Sequence, residues 1–257
     1  MDAGHIEHIA LSLNAPIPDA THALPALWHW GLFVKAWPYD QLGEDGHPKR
    51  GGFLPPADNR NRMWAGGRVQ FITPLRIGEP AQRISTIAAV NEKEGRTGKL
   101  LFVTVKHEYV QNDLVRIIEE QDIVYREPSP PKQTGTEPAP AAQWSETVIP
   151  TATMLFRYSA VTFNGHRIHY DAPYAMQVEG YAGLVVHGPM IATLMCGAFQ
   201  RANPDKRIMS MAYRGLRPLT APHAFQLAGR LTAPGVAQVW AEQDGTLAHQ
   251  AEIKFQP

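Results

Sequence analysis

Alternation of apolar and polar positions dominates the end of the chain. Leu247, His249, Ala251, Ile253 and Phe255 alternate with Ala248, Gln250, Glu252, Lys254 and Gln256, the period of a strand with one buried face. Phe225, Leu227, Gly229 and Leu231 alternate in the same way with Gln226, Ala228, Arg230 and Thr232. Arg207 to Leu216 and Val236 to Glu242 complete a set of four strands. A comparable set lies earlier, at Arg68 to Leu75, Gln82 to Val90, Leu100 to Tyr109 and Leu114 to Tyr125. The turns between them, such as Gly95-Arg96-Thr97-Gly98 and Gln111-Asn112-Asp113, are too short for the crossover that parallel strands need, so the pattern predicts antiparallel meanders. Met154 to Val161 also reads as strand-like.

The period changes at Met190, Ile191, Leu194, Met195, Ala198 and Phe199, which share one face only on a helix. Gly188-Pro189 starts that helix where a first turn tolerates proline, and Asn203-Pro204 stops it. Between Glu127 and Gln143, Pro128, Pro130, Pro131, Pro138 and Pro140 fix φ and remove backbone donors, so this stretch reads as a linker. It separates an N-terminal part of about 127 residues from a C-terminal part of about 115, each the size of one compact unit. The matching strand sets suggest diverged copies.

A helix followed by, and wrapped in, an antiparallel sheet is the hot-dog arrangement. The expected fold is therefore α+β, a double hot dog: two antiparallel sheets, each around a central helix. The expected units are residues 1–127, a linker at 128–143 and residues 144–257. No long helix is evident in the first unit, where Leu24 to Trp37 is strongly aromatic, so its central helix is expected to be short or irregular.

Composition narrows the function. The 257 residues carry 24 basic and 24 acidic side chains, a balance that argues against nucleic acid or an anionic membrane as partner. The single cysteine, Cys196, excludes an intramolecular disulfide and multi-cysteine metal sites, and fits an intracellular protein. Asp2, His5, Glu7 and His8 break up the N-terminus, leaving no apolar run of signal or membrane-span length, so a soluble cytoplasmic protein is expected.

The densest polar cluster is Thr162-Phe163-Asn164-Gly165-His166-Arg167-Ile168-His169-Tyr170-Asp171, and Leu184-Val185-Val186-His187-Gly188-Pro189 opens the helix shortly afterwards. Loops at one edge of a scaffold often hold catalytic groups, and a helix N-terminus presents unpaired N–H groups suited to a developing oxyanion.

These residues resemble the MaoC-like family of R-specific enoyl-thioester hydratases and dehydratases. His169 falls on that family's catalytic His and His187-Gly188 on its helix start, while Asn164 stands where the family has Asp and His166 where it has Asn. Together with Trp28-His29-Trp30, Gly43-Glu44-Asp45-Gly46-His47-Pro48, Met63-Trp64-Ala65-Gly66-Gly67 and the Glu119 to Arg126 segment, the cluster is similar to a double-hot-dog branch. That branch contains mesaconyl-C4-CoA and itaconyl-CoA hydratases and mitochondrial type 2 hydroxyacyl-thioester dehydratases. The resemblance runs from about Leu24 to Phe255. It implies reversible hydration of a double bond conjugated to a thioester, with no metal or redox cofactor and coenzyme A present only as part of the substrate.

The chemistry assigns roles within that expectation. Water adds to the β-carbon only if it is deprotonated on approach and the enolate oxygen is stabilised, and an imidazole titrating near neutrality is the natural base. His169 is the expected base, with Asn164 orienting water or ring and the Gly188 N–H binding the thioester oxygen. Asp171 is the nearest carboxylate in sequence; on an extended segment it shares a face with His169 and can hold the imidazole. His187 is expected to shape the oxyanion loop, and Arg167, Arg62 and Trp64 to line the substrate site.

Plainer readings compete with each role. Arg167, Arg214 and Arg217 also fit surface ions, His166 fits a hydrogen-bonded framework residue, and Cys196 has no neighbour that marks a nucleophile. His166, His169 and Asp171 are metal-ligand types, but their spacing matches no helical zinc pair. Two alternative functions remain: a dehydratase acting on acyl-carrier-protein substrates, and a non-catalytic acyl-CoA-binding hot dog. A thioesterase would need a carboxylate placed for attack, and Asp171 is the sole candidate in sequence. A homodimer is expected by fold analogy.

Overall fold

The structure, a computed structural model, describes residues 1–19, 23–49, 51–57, 60–95, 98–127 and 136–256. An N-terminal helix, α1 (Ala3–Ser12), is followed by a 3₁₀ turn at Trp28–Gly31 and then by β1 (Asn61–Phe71), β2 (Gln82–Gly95), β3 (Gly98–Gln111) and β4 (Leu114–Arg126). The second part of the chain contributes β5 (Trp144–Val148), α2 (Ala152–Val161), α3 (Gly188–Ala202), β6 (Arg207–Gly215), β7 (Phe225–Ala233), β8 (Val236–Gln243) and β9 (Thr246–Gln256). All eight strands expected from alternation are present; β1 starts seven residues earlier than expected, at Asn61, and ends at Phe71.

The strands form one sheet in the order β2-β3-β4-β1-β6-β9-β8-β7-β5, each pair antiparallel. The two expected sheets are thus continuous, joined where β1 meets β6 with Gly66 opposite Arg214 and Gly67 opposite Tyr213. The glycine pair has a packing reason. A Cβ on Gly66 would collide with the Tyr213 carbonyl oxygen, and one on Gly67 would meet the Glu120 carbonyl and lie 2.6 Å from the Tyr213 hydroxyl. The register with β4 shifts between Trp64 and Gly66, a bulge that re-aims the strand at this seam.

Helix α3 packs on β5 to β9 and buries Met190, Ile191, Leu194, Met195, Ala198 and Phe199, the face its periodicity predicted. Fully burying each of the larger of these side chains is worth about 1.5–3 kcal/mol. Cys196 is buried in the same layer, and burial pushes its thiol up to about 12, so it is an inert core residue. The first part of the chain has no helix of comparable length among the described residues. Its share of the core comes from Ile6, Ile9 and Ala10 of α1, from Leu27 and Trp28 at the 3₁₀ turn, and from Val69 and Tyr109, all in one cluster with α3.

One secondary-structure expectation is corrected. Residues 154–161 are not a strand but most of α2, in which Leu155, Tyr158 and Ser159 are buried and Phe156 is 61% exposed. Thr151 caps the helix by accepting a hydrogen bond from the Met154 N–H (3.1 Å), and this local partner favours the helix over a short alternating run. Of the linker residues, 128–135 lie outside the described residues, as do Arg96 and Thr97 of one predicted turn. Pro138 forms a bridge with Thr246, and the Ala139 N–H donates to the Gly245 carbonyl (2.8 Å), so this end of the segment lies against the β8–β9 turn.

Candidate active site

Helix α2 ends at Val161, with Thr162 as its C-cap, and delivers the chain through Phe163, which has positive φ, into the polar loop. Asn164 closes a local turn: its Oδ1 accepts the His166 N–H at 3.0 Å. The next residues form a 3₁₀ turn, Arg167–His169, that aims His169 into the protein. There the His169 Nδ1–H donates to the Val185 carbonyl at 2.7 Å. A carbonyl can only accept, so this bond fixes the tautomer and leaves the Nε2 lone pair as the basic atom. Burial lowers the His169 pKa to about 4, against the opposing effect of the Val185 bond, so the ring is neutral at ordinary pH.

His187 caps the start of α3 and stacks on His169, with ring centroids 3.6 Å apart and planes 19° from parallel. Its Nε2 bonds the Ser159 hydroxyl at 2.8 Å, which ties α2 to the start of α3, and its buried Nδ1 has no hydrogen-bond partner among the described residues. Gly188 follows as the first residue of α3, where the intrahelical ladder leaves backbone N–H groups unpaired. A Cβ on Gly188 would lie 2.9 Å from the Trp64 ring and 3.8 Å from the His249 ring. Trp64, at the β1 bulge, therefore lies directly over the helix mouth.

A second loop, from the N-terminal half, completes the arrangement. Gly43 to His47 forms a tight turn closed by the Gly43 N–H to the His47 carbonyl (2.7 Å), with Gly46 at φ 84°. Gly46 packs against Gly165 so closely that a Cβ would collide with the Gly165 carbonyl oxygen, and the Asp45 carbonyl accepts the Arg167 N–H at 2.9 Å. These contacts bring His47 within 4.0 Å of His166, centroid to centroid, and His166 stands edge-on to His169 at 5.3 Å. Four imidazoles thus run in sequence, His47, His166, His169 and His187. Asp45 sits at the outer end, its Oδ2 3.1 Å from His47 Nδ1 and its Oδ1 accepting the His47 N–H at 3.0 Å.

Crowding sets the charges. Burial lowers His166 and His187 far below the imidazole range, and the neighbouring rings push them further in the same direction. Burial raises Asp45, but its hydrogen bond and charge interaction with His47 outweigh this and hold the carboxyl well below its usual range. Ligand-type atoms of Asp45, His47 and His166 lie within 4.8 Å of one another, close enough to consider a cation. Both Asp45 oxygens are already engaged by His47, and the charge of Arg62 bears on His166, so the grouping is better suited to sharing a proton than to holding a metal.

Two sequence expectations fail here. Asp171 does not hold His169: because the chain turns at 167–169 instead of running extended, Asp171 points to Arg167 (2.8 Å) and its Oδ1 accepts the Tyr174 N–H (3.1 Å). Arg167 is correspondingly engaged by Asp171, by the Glu44 carbonyl (3.1 Å) and by the face of Tyr174 (4.0 Å), contacts that fit a framework role. Arg217 is a loop anchor, donating to the Gln243 and Thr246 carbonyls at 3.0 and 3.1 Å. By contrast, Arg62 lies close enough for its charge to bear on His166. The sequence reading gave no role to Asp45, His47, Ser159 or Val185. Asp45 and His47 stand in a motif that was quoted for the resemblance, but nothing local signals that they meet His166, 119 residues beyond His47.

The antiparallel sheet wrapped on α3, with a tautomer-fixed histidine stacked against the residue that precedes that helix, has the hot-dog architecture. The solved structures agree on the fold: a MaoC-like dehydratase superposes with TM-score 0.73 over 100% of this chain and 95% of its own at 12% identity. HtdX of Mycobacterium tuberculosis superposes with TM-score 0.68 over 98% and 95% of the two chains at 15% identity. At these identities the likeness speaks for the fold alone.

Sequence makes the assignment narrower. The profile of the hydroxyacyl-thioester dehydratase type 2 family matches residues 27–221, and the chain belongs to that family. It is 44% identical to the mesaconyl-C(4)-CoA hydratase of Chloroflexus aurantiacus over 251 residues, 96% of this chain and 89% of that protein. It is also 28% identical to the mitochondrial hydroxyacyl-thioester dehydratase type 2 of Schizosaccharomyces pombe, over 84% and 79% of the two chains.

Proposed function

We propose that the protein is a hydro-lyase that reversibly hydrates a short-chain, α,β-unsaturated acyl-CoA thioester of the mesaconyl-C4-CoA type. The observation that carries this reading is the His169 Nδ1–H bond to Val185, on a ring stacked against His187 at the start of α3. That bond leaves a neutral Nε2 to take a proton from water as its oxygen bonds the β-carbon. The π electrons move to the thioester oxygen, and in this reading the Gly188 N–H stabilises the enolate. His187 supports the geometry by stacking under His169 and bonding Ser159. Asn164 fixes the turn that precedes His169; its Oδ1 is occupied by the His166 N–H. The addition forms a C–O and a C–H bond as the C=C π bond breaks, with no net oxidation or reduction, so this reading invokes no metal or redox cofactor, and turnover should survive chelation.

The 44% identity to a mesaconyl-C(4)-CoA hydratase favours a dicarboxylic acyl chain, and Arg62 is the predicted cation whose charge reaches the imidazole row. Trp64, over the helix mouth, is the wall against which the acyl group would pack. A homodimer in the cytoplasm belongs to the same reading by analogy of fold; among the described residues no helix is long and apolar enough to cross a membrane.

Loss of the enoyl-thioester absorbance on adding purified protein to mesaconyl-C4-CoA and to crotonyl-CoA tests the activity, and the ratio of rates tests recognition of the second carboxylate. His169→Ala is expected to lose about 10²- to 10⁴-fold in turnover with its unfolding transition retained. Full activity in that variant would remove the base assignment. Because the His169 pKa is lowered to about 4, the base is active in its neutral form down to that region. The acid limb of kcat/KM attributable to His169 should therefore lie near pH 4, not near the ordinary imidazole value of about 6.5.

A further inference from the structure

His169 can take the proton from water and return it at the α-carbon, so the remaining demand of the reaction is the charge that builds on the thioester oxygen between those two events. In the reading above one amide, that of Gly188, meets that oxygen. Sites of this kind gain from every further donor fixed in place beforehand. A histidine to which the sequence reading gave no role, His249, stands beside that amide.

A bulge in β9 aims this side chain. Ala241 and Glu242 of β8 pair with His249 and Leu247, which leaves Ala248 as an extra residue on β9. Before the bulge Leu247 packs with Trp240 in a separate cluster; after it Ala251 and Ile253 belong to the core shared with α3. His249, two residues before Ala251, lies on the same face, at the level where α3 begins. Its strand partners there are small, Gly215 on β6 and Ala241 on β8. The His249 Cε1 lies 3.2 Å from where a Cβ on Gly215 would stand and 3.8 Å from where one on Gly188 would. The two ring nitrogens flank Cε1, so both border this gap, which the Trp64 ring also bounds, 2.9 Å from the same Gly188 position. The imidazole is unused: it makes no hydrogen bond among the described residues, and its nitrogens are not sealed off as the Nδ1 atoms of His29 and His187 are. Burial, and secondarily the charge of Arg217, lower its pKa to about 4, so the ring is neutral and has one N–H to give. A desolvated polar ring that a water-sized group can still reach lines a narrow cavity, and it costs stability until something binds it.

We propose that the His249 ring N–H is a second hydrogen-bond donor to the thioester oxygen, acting with the Gly188 N–H. This rests on the hydratase reading above. As water adds, the π electrons of the C=C bond shift to that oxygen, and His249 stabilises the charge while keeping its own proton. His169 alone carries the proton that moves. A neutral imidazole suits this task, because it polarises the carbonyl without protonating the enolate. In dehydration the same donor stabilises the enolate formed when the α-proton leaves.

The experiment uses the full chain with His249→Leu, which keeps bulk and removes the donor, and with His249→Asn and His249→Gln, which keep an N–H. Charge reaches the oxygen only on the way to the enolate, so His249→Leu should lose about 10²-fold in kcat with KM within threefold of wild type. At least one amide variant should recover about tenfold of that loss, which a merely structural role would not allow. A direct reading comes from the saturated analogue butyryl-CoA, labelled with ¹³C at its carbonyl. Its infrared C=O stretch should fall on binding to wild type and return toward the free value on binding to His249→Leu. A kcat within threefold of wild type in His249→Leu overturns the proposal. So does an unaltered stretch, or a loss that neither amide repairs in proteins with the wild-type unfolding transition. Should His249→Leu fail to fold, His249→Phe replaces it under the same criteria. An inactive wild type would sink the hydratase reading itself, whereas an active wild type, a dead His169→Ala and an undiminished His249→Leu would sink this inference alone.

Discussion

Each half of the chain buries histidines, and the two halves treat them differently. In the N-terminal half His29 is fully buried and donates to Glu119, which is also fully buried. Glu119 accepts from His29 (3.2 Å), Trp30 (2.8 Å), Tyr109 (2.8 Å) and Gln121 (2.7 Å), so its lone pairs are spent. In the C-terminal half His169 and His187 have a carbonyl and a hydroxyl as partners and no carboxylate, while the buried Nδ1 of His29 and that of His187 alike have no hydrogen-bond partner among the described residues. A buried carboxylate with four donors holds those donors rigidly, whereas a ring tied through Nδ1–H to a carbonyl keeps a basic Nε2 and no counter-charge. The same residue type thus serves as a structural fixture in one half and as a candidate catalyst in the other.

The largest expected effect tests the saturated side. Glu119→Ala leaves the His29, Trp30, Tyr109 and Gln121 donors without their acceptor and should cost about 3–5 kcal/mol in urea unfolding. Acid should act through the same residue. Burial raises the Glu119 carboxyl, but its bond and charge interaction with His29 outweigh this and lower it from 4.5 to about 2. A folded value below the unfolded one means that this stability is fully present above about pH 4.5 and is lost as pH falls through about 2. Unfolding measured between pH 6 and 2 should show that loss in wild type. An Ala variant that unfolds like wild type would show the contrast between the halves to be empty.

A smaller effect is expected where the halves touch. Gly46→Ala combines an unfavourable positive φ with a collision against the Gly165 carbonyl, so the loops must part. Stability should fall by about 1–3 kcal/mol, and kcat by about tenfold if the Asp45–His47 loop works on the C-terminal site. Turnover indifferent to the substitution would show the C-terminal half to be self-sufficient. The smallest effect is reserved for Asp171→Asn, which keeps an acceptor for the Tyr174 N–H and removes only the charge that faces Arg167. Turnover within threefold of wild type is expected; a hundredfold loss would return Asp171 to the chemistry.

Features governed by neighbours in sequence were readable in advance. The strands of both halves and helix α3 follow from alternation and from a 3.6-residue period, because burial of one face imposes those periods wherever the element lies. His169 and Gly188 could be paired as candidates because the 3₁₀ turn and the start of α3 lie within 19 residues of each other. The shorter α2 was misread: over ten residues its apolar positions fit both periods, and the cap at Thr151 outweighs the alternation. Asp171 was misplaced for a related reason, since a chain that turns at Arg167–His169 breaks the two-residue face rule that holds on a strand.

The sequence by itself determined most of the element types, the central helix and the polar loop that bears His169, since each depends on interactions a few residues apart. Only the tertiary structure decided that β1 and β6 join the halves into one sheet, and that Asp45 and His47 reach the row of imidazoles. Both are contacts across more than a hundred residues, fixed by glycines that let two backbones approach, and no local pattern records which distant backbone that will be.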